Sequence, residues 1–140
     1  MPLDAAVYTI AGHKRSEVCS RAMYAGIKAA GDRARLFVEA DYRQPFHDVA
    51  VFYGYTPVLR KVMADYIAAG RKAVYIDLGY WGREGMNGYH KVSVNDRHPT
   101  AYFQNRRHAF DRFKVHHRHI APWGQTGENI IVCGMSQKCA

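Results

Sequence analysis

Four short stretches of this chain bring glycine together with side chains that donate, accept or carry charge. Gly12-His13-Lys14-Arg15-Ser16 holds an imidazole and two cations. Gly54-Tyr55-Thr56 holds an aromatic ring and a hydroxyl. Asp77-Leu78-Gly79-Tyr80-Trp81-Gly82-Arg83 holds a carboxylate, an indole and a guanidinium. Gly134-Met135-Ser136-Gln137-Lys138 holds a hydroxyl and an ammonium. Histidine changes charge nearest neutral pH, so His13 is a candidate general base. Lys14 and Arg15 are candidates to grip an anion. The plainer reading makes the same loop a basic cap for a helix. Asp77 is a candidate base at a strand end, or a turn residue bonding nearby backbone N–H groups. Trp81, between glycines, suits stacking on a sugar or base, or packing over a sheet edge. None of the four stretches matches Gly-x-Gly-x-x-Gly or the P-loop pattern.

Other chemistry is thinly supported. His116, His117 and His119 have zinc-like spacing but no matching Cys/His half, so they read as a solvated basic segment and no metal site is expected. The Gly-x-Ser-x-Gly elbow is absent, which leaves a hydrolase triad without support. Residues 97–119 carry six Arg or Lys (97, 106, 107, 112, 114 and 118) against one acid, Asp111. Tyr102, Phe103, Phe110 and Phe113 are interleaved. Arg106, Arg107 and Arg112 are therefore candidates for nucleic-acid contact. The alternative is an amphipathic segment whose aromatics are core and whose arginines line the rim.

These groups need elements to position them. Residues 5–10, 35–39, 48–53 and 72–77 are short β-branched and aromatic runs, and read as strands. Ser16 is the expected cap of a helix running to about residue 30, with Val18, Ala22, Ala25 and Ala29 recurring at spacings of three and four, Met23 and Ile27 beside them, and Gly31 as the left-handed stop. Thr56-Pro57 starts a second helix, with a capping hydroxyl and a proline at the first turn. Leu59, Val62, Met63, Tyr66 and Ile67 form its stripe, and Gly70 ends it. Residues 90–94 alternate and suit an edge strand. Residues 129–133 suit a last one.

The continuous apolar strands predict burial on both faces, as parallel sheets require. The expected fold is α/β: a three-layer Rossmann-like domain with a mostly parallel sheet over residues 1–121. Residues 122–140 read as a linker and final strand, the start of a second domain. A strand followed by Gly-x-Ser-x-Lys normally leads into a helix, so either residues 129–133 complete the sheet or, the favoured expectation, the chain is the front part of a longer protein. In such sheets the ligand crevice lies beyond the carboxyl ends of the strands. That rule selects the four stretches above.

Composition bounds the function. The chain has 140 residues, 48% hydrophobic and 23% charged, enough to build a core. Twenty Lys and Arg against twelve Asp and Glu give +8, a balance that favours polyanionic partners. No apolar run approaches the roughly 20 residues of a membrane span. Residues 1–12 lack a signal-peptide pattern. Three cysteines without Cys-x-x-Cys make no disulfide framework. Cys19 and Cys133 read as small buried hydrophobes. A reducing cytoplasm is the expected compartment.

The front half, the stretch Tyr75-Ile76-Asp77-Leu78-Gly79-Tyr80-Trp81-Gly82-Arg83, and Val92-Ser93-Val94-Asn95-Asp96-Arg97-His98-Pro99 resemble proteins of tailed phages and prophages that look like glycosyltransferases of the GT-B type. Residues 127–138 resemble the entry to the second, nucleotide-binding domain of those proteins. The resemblance implies two Rossmann-like domains facing a cleft, the first holding the acceptor and the second a nucleotide-sugar donor. It covers about the first half of such a protein. His13 or Asp77 would take the acceptor proton. Arg83, Arg97 and Lys138 would neutralise the leaving diphosphate, with Ser136 beside them. Tyr55 and Trp81 would line the cleft. The acceptor would be nucleic acid or another molecule, and no resident cofactor is implied. The alternative is a small basic phage protein that binds nucleic acid or a host protein without catalysis.

Overall fold

A computed structural model describes residues 1–79 and 88–98. The elements run β1 (Asp4–Thr9), α1 (Lys14–Ala29), β2 (Arg33–Val38), a 3-10 turn (Glu39–Asp41), β3 (Val49–Tyr53), α2 (Pro57–Ala68), β4 (Lys72–Leu78) and β5 (His90–Val94). The sheet order is β2-β1-β3-β4-β5. The first four strands are parallel, and β5 joins β4 antiparallel. The expected α/β class with a mostly parallel sheet is the observed one. The expected last strand at 129–133 and the linker before it lie outside the described residues.

The two helices cover opposite faces. Val7, Val51, Tyr53 and Ile76 face one way and meet Cys19, Met23, Tyr24 and Ile27 of α1. Ala6, Tyr8, Ala50, Phe52, Ala73 and Tyr75 face the other way and meet Leu59, Val62, Met63 and Tyr66 of α2. Alternate residues of one strand therefore feed two cores, which makes three layers. The chain leaves β1 through α1 toward β2, and leaves β3 through α2 toward β4. The order reverses between β1 and β3. That gap, at the carboxyl ends of the strands, is the topological switch point of the sheet.

Local chemistry explains most boundaries. Thr56 caps α2 by accepting the Leu59 N–H at 3.1 Å, with Pro57 at the first turn. Gly54 ends β3 at φ +87°, a backbone that side chains rarely adopt, and an added Cβ would lie 3.2 Å from Ile10 Cδ1. Ile67, expected in the α2 stripe, is instead 42% exposed. The stripe narrows there because Tyr66, fully buried beside it, fills the inner face of the last turn.

Two further expectations are corrected. The first helix begins at Lys14, capped by His13 and not by Ser16. Its inner face is Ser16, Cys19, Ser20, Met23, Tyr24 and Ile27, while Val18, Ala22, Ala25 and Ala29 point outward. Met, Tyr and Ile each bury more apolar area than alanine, so they decide the rotation of the helix. The two serines can face inward because each hydroxyl has a backbone partner. Ser16 Oγ accepts the Ile10 N–H at 3.0 Å, and Ser20 Oγ donates to the Tyr8 carbonyl at 2.9 Å. The second correction is β2. It starts at Arg33, and its Arg33, Arg35 and Leu36 are exposed, not buried on both faces. An edge strand has one free rim, and charged side chains there discourage pairing with another chain.

Among the described residues no helix is long and apolar enough to cross a membrane.

Candidate functional site at the carboxyl edge

The loops after β1 and β3 and the carboxyl end of β4 sit at one end of the sheet, because these strands are parallel and in register. The sheet divides their side chains between its faces.

On the α1 face stands His13. Gly12, at φ +72°, turns the chain so that the His13 N–H reaches the Ile10 carbonyl at 3.1 Å. Glu17 Oε1 accepts the Gly12 N–H at 3.2 Å, and His13 Nδ1 accepts the Ser16 N–H at 3.1 Å. The loop is thus locked to the first turn of α1. A ring whose Nδ1 accepts carries its proton on Nε2. In that state His13 offers its Nε2–H as a donor to a ligand. Its ring lies 5.9 Å from Tyr53, and Tyr53 lies 5.9 Å from His90 in an edge-to-face contact. His90 Nε2 is 3.5 Å from Cys19 Sγ. Cys19 is half-buried, and burial pushes its thiol up, with Arg15 opposing. Lys14 is exposed and Arg15 half-buried in the first turn.

On the α2 face stands Asp77. Its Oδ2 accepts the Tyr75 hydroxyl at 2.8 Å and its Oδ1 accepts the Leu78 N–H at 2.8 Å. Both readings of Asp77 from sequence meet here: it binds local backbone, and each oxygen keeps a lone pair for another donor. Burial first, then Asp77, pushes the Tyr75 phenol well above tyrosine's ordinary value. The phenol therefore stays a donor. Tyr55 stacks edge-on against Tyr75 at 5.7 Å, and the Arg97 guanidinium lies 4.6 Å from the Tyr55 ring centre. Lys91, directly across the ladder from Asp77, brings its ammonium within 3.9 Å of that carboxylate. The Thr56 hydroxyl is bonded to the Glu39 carboxylate at the border of this group.

No protein-family model and no curated protein matches this sequence. The site is therefore defined by its geometry.

The fold brings Tyr55, Asp77 and Arg97 together and sets His13, Lys14 and Arg15 apart on the other face. Trp81, Arg83, Arg106, Arg107, Arg112, Ser136 and Lys138 lie outside the described residues, as do His116, His117 and His119. No sequence signal singled out Tyr53, Tyr75, His90 or Lys91. Tyr53 and Tyr75 looked like ordinary strand core. His90 and Lys91 gained their places only through the antiparallel pairing of β5.

Ser16 gives a direct test of the locked loop. Ser16→Ala removes the partner of the partly buried Ile10 N–H and is expected to cost about 1 kcal/mol. Urea unfolding measures it, and a change under a few tenths of a kcal/mol would show that water replaces the hydroxyl. Ser20→Ala removes a donor from a carbonyl that keeps a second lone pair, so its cost is expected to be smaller.

Proposed function

We propose that the chain is a GT-B-type glycosyltransferase of phage type or its amino-terminal part, and that the carboxyl edge of this sheet lines the cleft where the acceptor meets the phosphates of a nucleotide or nucleotide-sugar. The observation that supports this reading best is the meeting of Tyr55, Asp77 and Arg97 beyond β3 and β4. Glycosyl transfer needs a carboxylate or imidazole to take the acceptor proton, and cations to offset charge on the leaving diphosphate. Asp77 fills the first role, with the Tyr75 hydroxyl fixing its carboxylate. Arg97 fills the second, and Tyr55 walls the cleft. His13 orients the acceptor through its Nε2–H.

The test is thermal unfolding of the full chain against a panel of nucleotides and nucleotide-sugars, followed by assay of sugar transfer to nucleic acid. A ligand at a hundred times its Kd adds about 2.7 kcal/mol to the unfolding free energy, and the melting temperature rises with ligand concentration. Asp77→Asn is expected to keep that rise and lose transfer. If no nucleotide moves the melting curve, the reading is wrong.

A second reading follows from the charge of residues 97–119: a non-enzymatic protein binding nucleic acid. Changing Arg106, Arg107 and Arg112 to Gln is then expected to weaken nucleic-acid binding and flatten its salt dependence by about one in slope for each phosphate no longer neutralised. Nucleotide-induced stabilisation would be unchanged.

A further inference from the structure

Three cations near Asp77 on the α2 face form no close ion pair among the described residues. Lys91 is the clearest case. Its side chain is only 14% exposed, yet its carboxylate partner Asp77 stands off at 3.9 Å and is itself 38% exposed. Both Asp77 oxygens already accept closer bonds, from Tyr75 and from the Leu78 backbone. The short contact of the ammonium is His98 Nδ1 at 3.3 Å, an acceptor without charge while it accepts. The Tyr75 ring lies 5.6 Å away. A cation so far withdrawn from water, with one long ion pair, is costly unless something else compensates it.

Two guanidiniums stand beside it. Arg97 lies 4.6 Å and Arg60 5.4 Å from the centre of the Tyr55 ring. Among the described residues neither forms an ion pair with a carboxylate. Stacking holds each fork on the ring, and although Arg97 also hydrogen-bonds the Tyr75 hydroxyl, a guanidinium has five N–H donors and keeps others for a further acceptor. Three cations from α2, β5 and the turn after β5 therefore gather around two aromatic rings. The acids near them are Asp77, Asp96, whose Oδ1 is occupied by the backbone N–H of Arg97 at 2.6 Å and that of His98 at 3.4 Å, and, at the border, Glu39, which the Thr56 hydroxyl engages.

We infer that Arg60, Lys91 and Arg97 form a binding site for the phosphate groups of a small phosphate-bearing ligand, against the Tyr55 and Tyr75 rings. Phosphate fits better than a carboxylate. It offers more acceptor oxygens and more charge than one carboxylate, and arginine forks match its oxygens two at a time. The site deepens the carboxyl-edge reading by assigning the phosphate to the α2 face. It rests on that reading for the end of the sheet used, and does not need sugar transfer.

The experiment is calorimetric titration of the full chain with pyrophosphate at low and moderate salt. Saturable one-to-one binding is expected. Arg97→Gln and Lys91→Gln should each weaken it about tenfold, the size of one charge-assisted contact, and Arg60→Gln should weaken it less. Lys28→Gln, at the opposite end of the sheet near Asp4 and Arg33, should leave it unchanged. Arg97 is exposed, so its variant keeps the fold and carries the test if Lys91→Gln does not fold. Absence of saturation up to about 10 mM pyrophosphate, or equal losses in Arg97→Gln and Lys28→Gln, overturns the site. Binding of a single-stranded oligonucleotide without binding of pyrophosphate also overturns it. Arg97-dependent pyrophosphate binding without sugar transfer keeps the site and removes the glycosyltransferase. Sugar transfer insensitive to Arg97 does the reverse.

Discussion

Phe52→Ala is expected to lower the unfolding free energy by about 3–5 kcal/mol. Phe52 is 1% exposed, one residue from the carboxyl end of β3, with Tyr75 of β4 at 6.1 Å between ring centres. Leu59, Val62 and Tyr66 of α2 belong to the same core. Truncation removes the transfer free energy of the ring and leaves a cavity that strands on both sides hold open. β1 and β4 flank β3 in the ladder, so the backbone has little freedom to collapse inward. Domains of this size have about 5–15 kcal/mol in total, and the loss is a large share of that. Chemical denaturation should show a lower midpoint with an unchanged slope. A loss below about 1 kcal/mol would mean that the α2 face is not packed as described.

Alkali is expected to unfold the domain cooperatively, beginning near pH 10. Tyr8, Tyr42, Tyr66 and Tyr75 are all at least nine-tenths buried on the α2 face. Burial is the first cause of a raised pKa at each of them. At Tyr42 the Asp65 carboxylate, which accepts its hydroxyl at 2.8 Å, raises it further. The sign follows from proton binding. Unfolded tyrosine loses its proton near pH 10, while the folded groups keep theirs to higher pH. Above pH 10 the unfolded chain therefore binds fewer protons, and stability falls as pH rises. The contribution is complete below about pH 10 and declines by about 1.4 kcal/mol per tyrosine per pH unit above it. With four such groups, one to three units consume a typical domain's stability. Absorbance at the tyrosinate band and far-ultraviolet circular dichroism, followed together, measure this. A single step shared by both signals is expected. Early, gradual ionisation of all ten tyrosines with the helix signal intact would contradict it.

Asp65 governs the acid side in the opposite sense. Hydrogen bonds from Lys61 and then Tyr42 hold its carboxyl below the usual range. Its contribution is present above the ordinary aspartate pKa and is lost as pH falls through the folded value. The pair is surface-facing, with Lys61 at 2.6 Å in the next turn, so Asp65→Asn should flatten the acid limb only slightly.

What could be read from the chain in isolation depended on signals that act over a few residues. Thr56-Pro57 caps a helix wherever it stands, since hydroxyl and ring act on the adjoining backbone. Gly54 and Gly70 end their elements through backbone freedom, again a local property. The apolar runs that became β1, β3 and β4 were visible because strands buried on both faces have no polar side to conceal them. The inner face of α1 was not visible. Alanine and valine suggested one face, and the larger side chains together with two bonded serines chose another. The Ser16 cap failed for a related reason, because that hydroxyl was committed to Ile10 across the turn.

The site divides along the same line. Tyr55, Asp77 and Arg97 stood out in the sequence, since each belongs to a glycine-marked or basic stretch. Nothing local could say that His13 and Asp77 stand on opposite faces, or that Lys91 faces Tyr75. The main elements, the limits of α2 and the polarity of the parallel strands were determined by the sequence itself, through caps, turns and apolar runs that each act within one turn or strand. Strand order, the pairing of β5 and the rotation of α1 were decided only by the folded whole. Those choices minimise exposed apolar area and unmet hydrogen bonds among residues tens of positions apart, and no local pattern carries that sum.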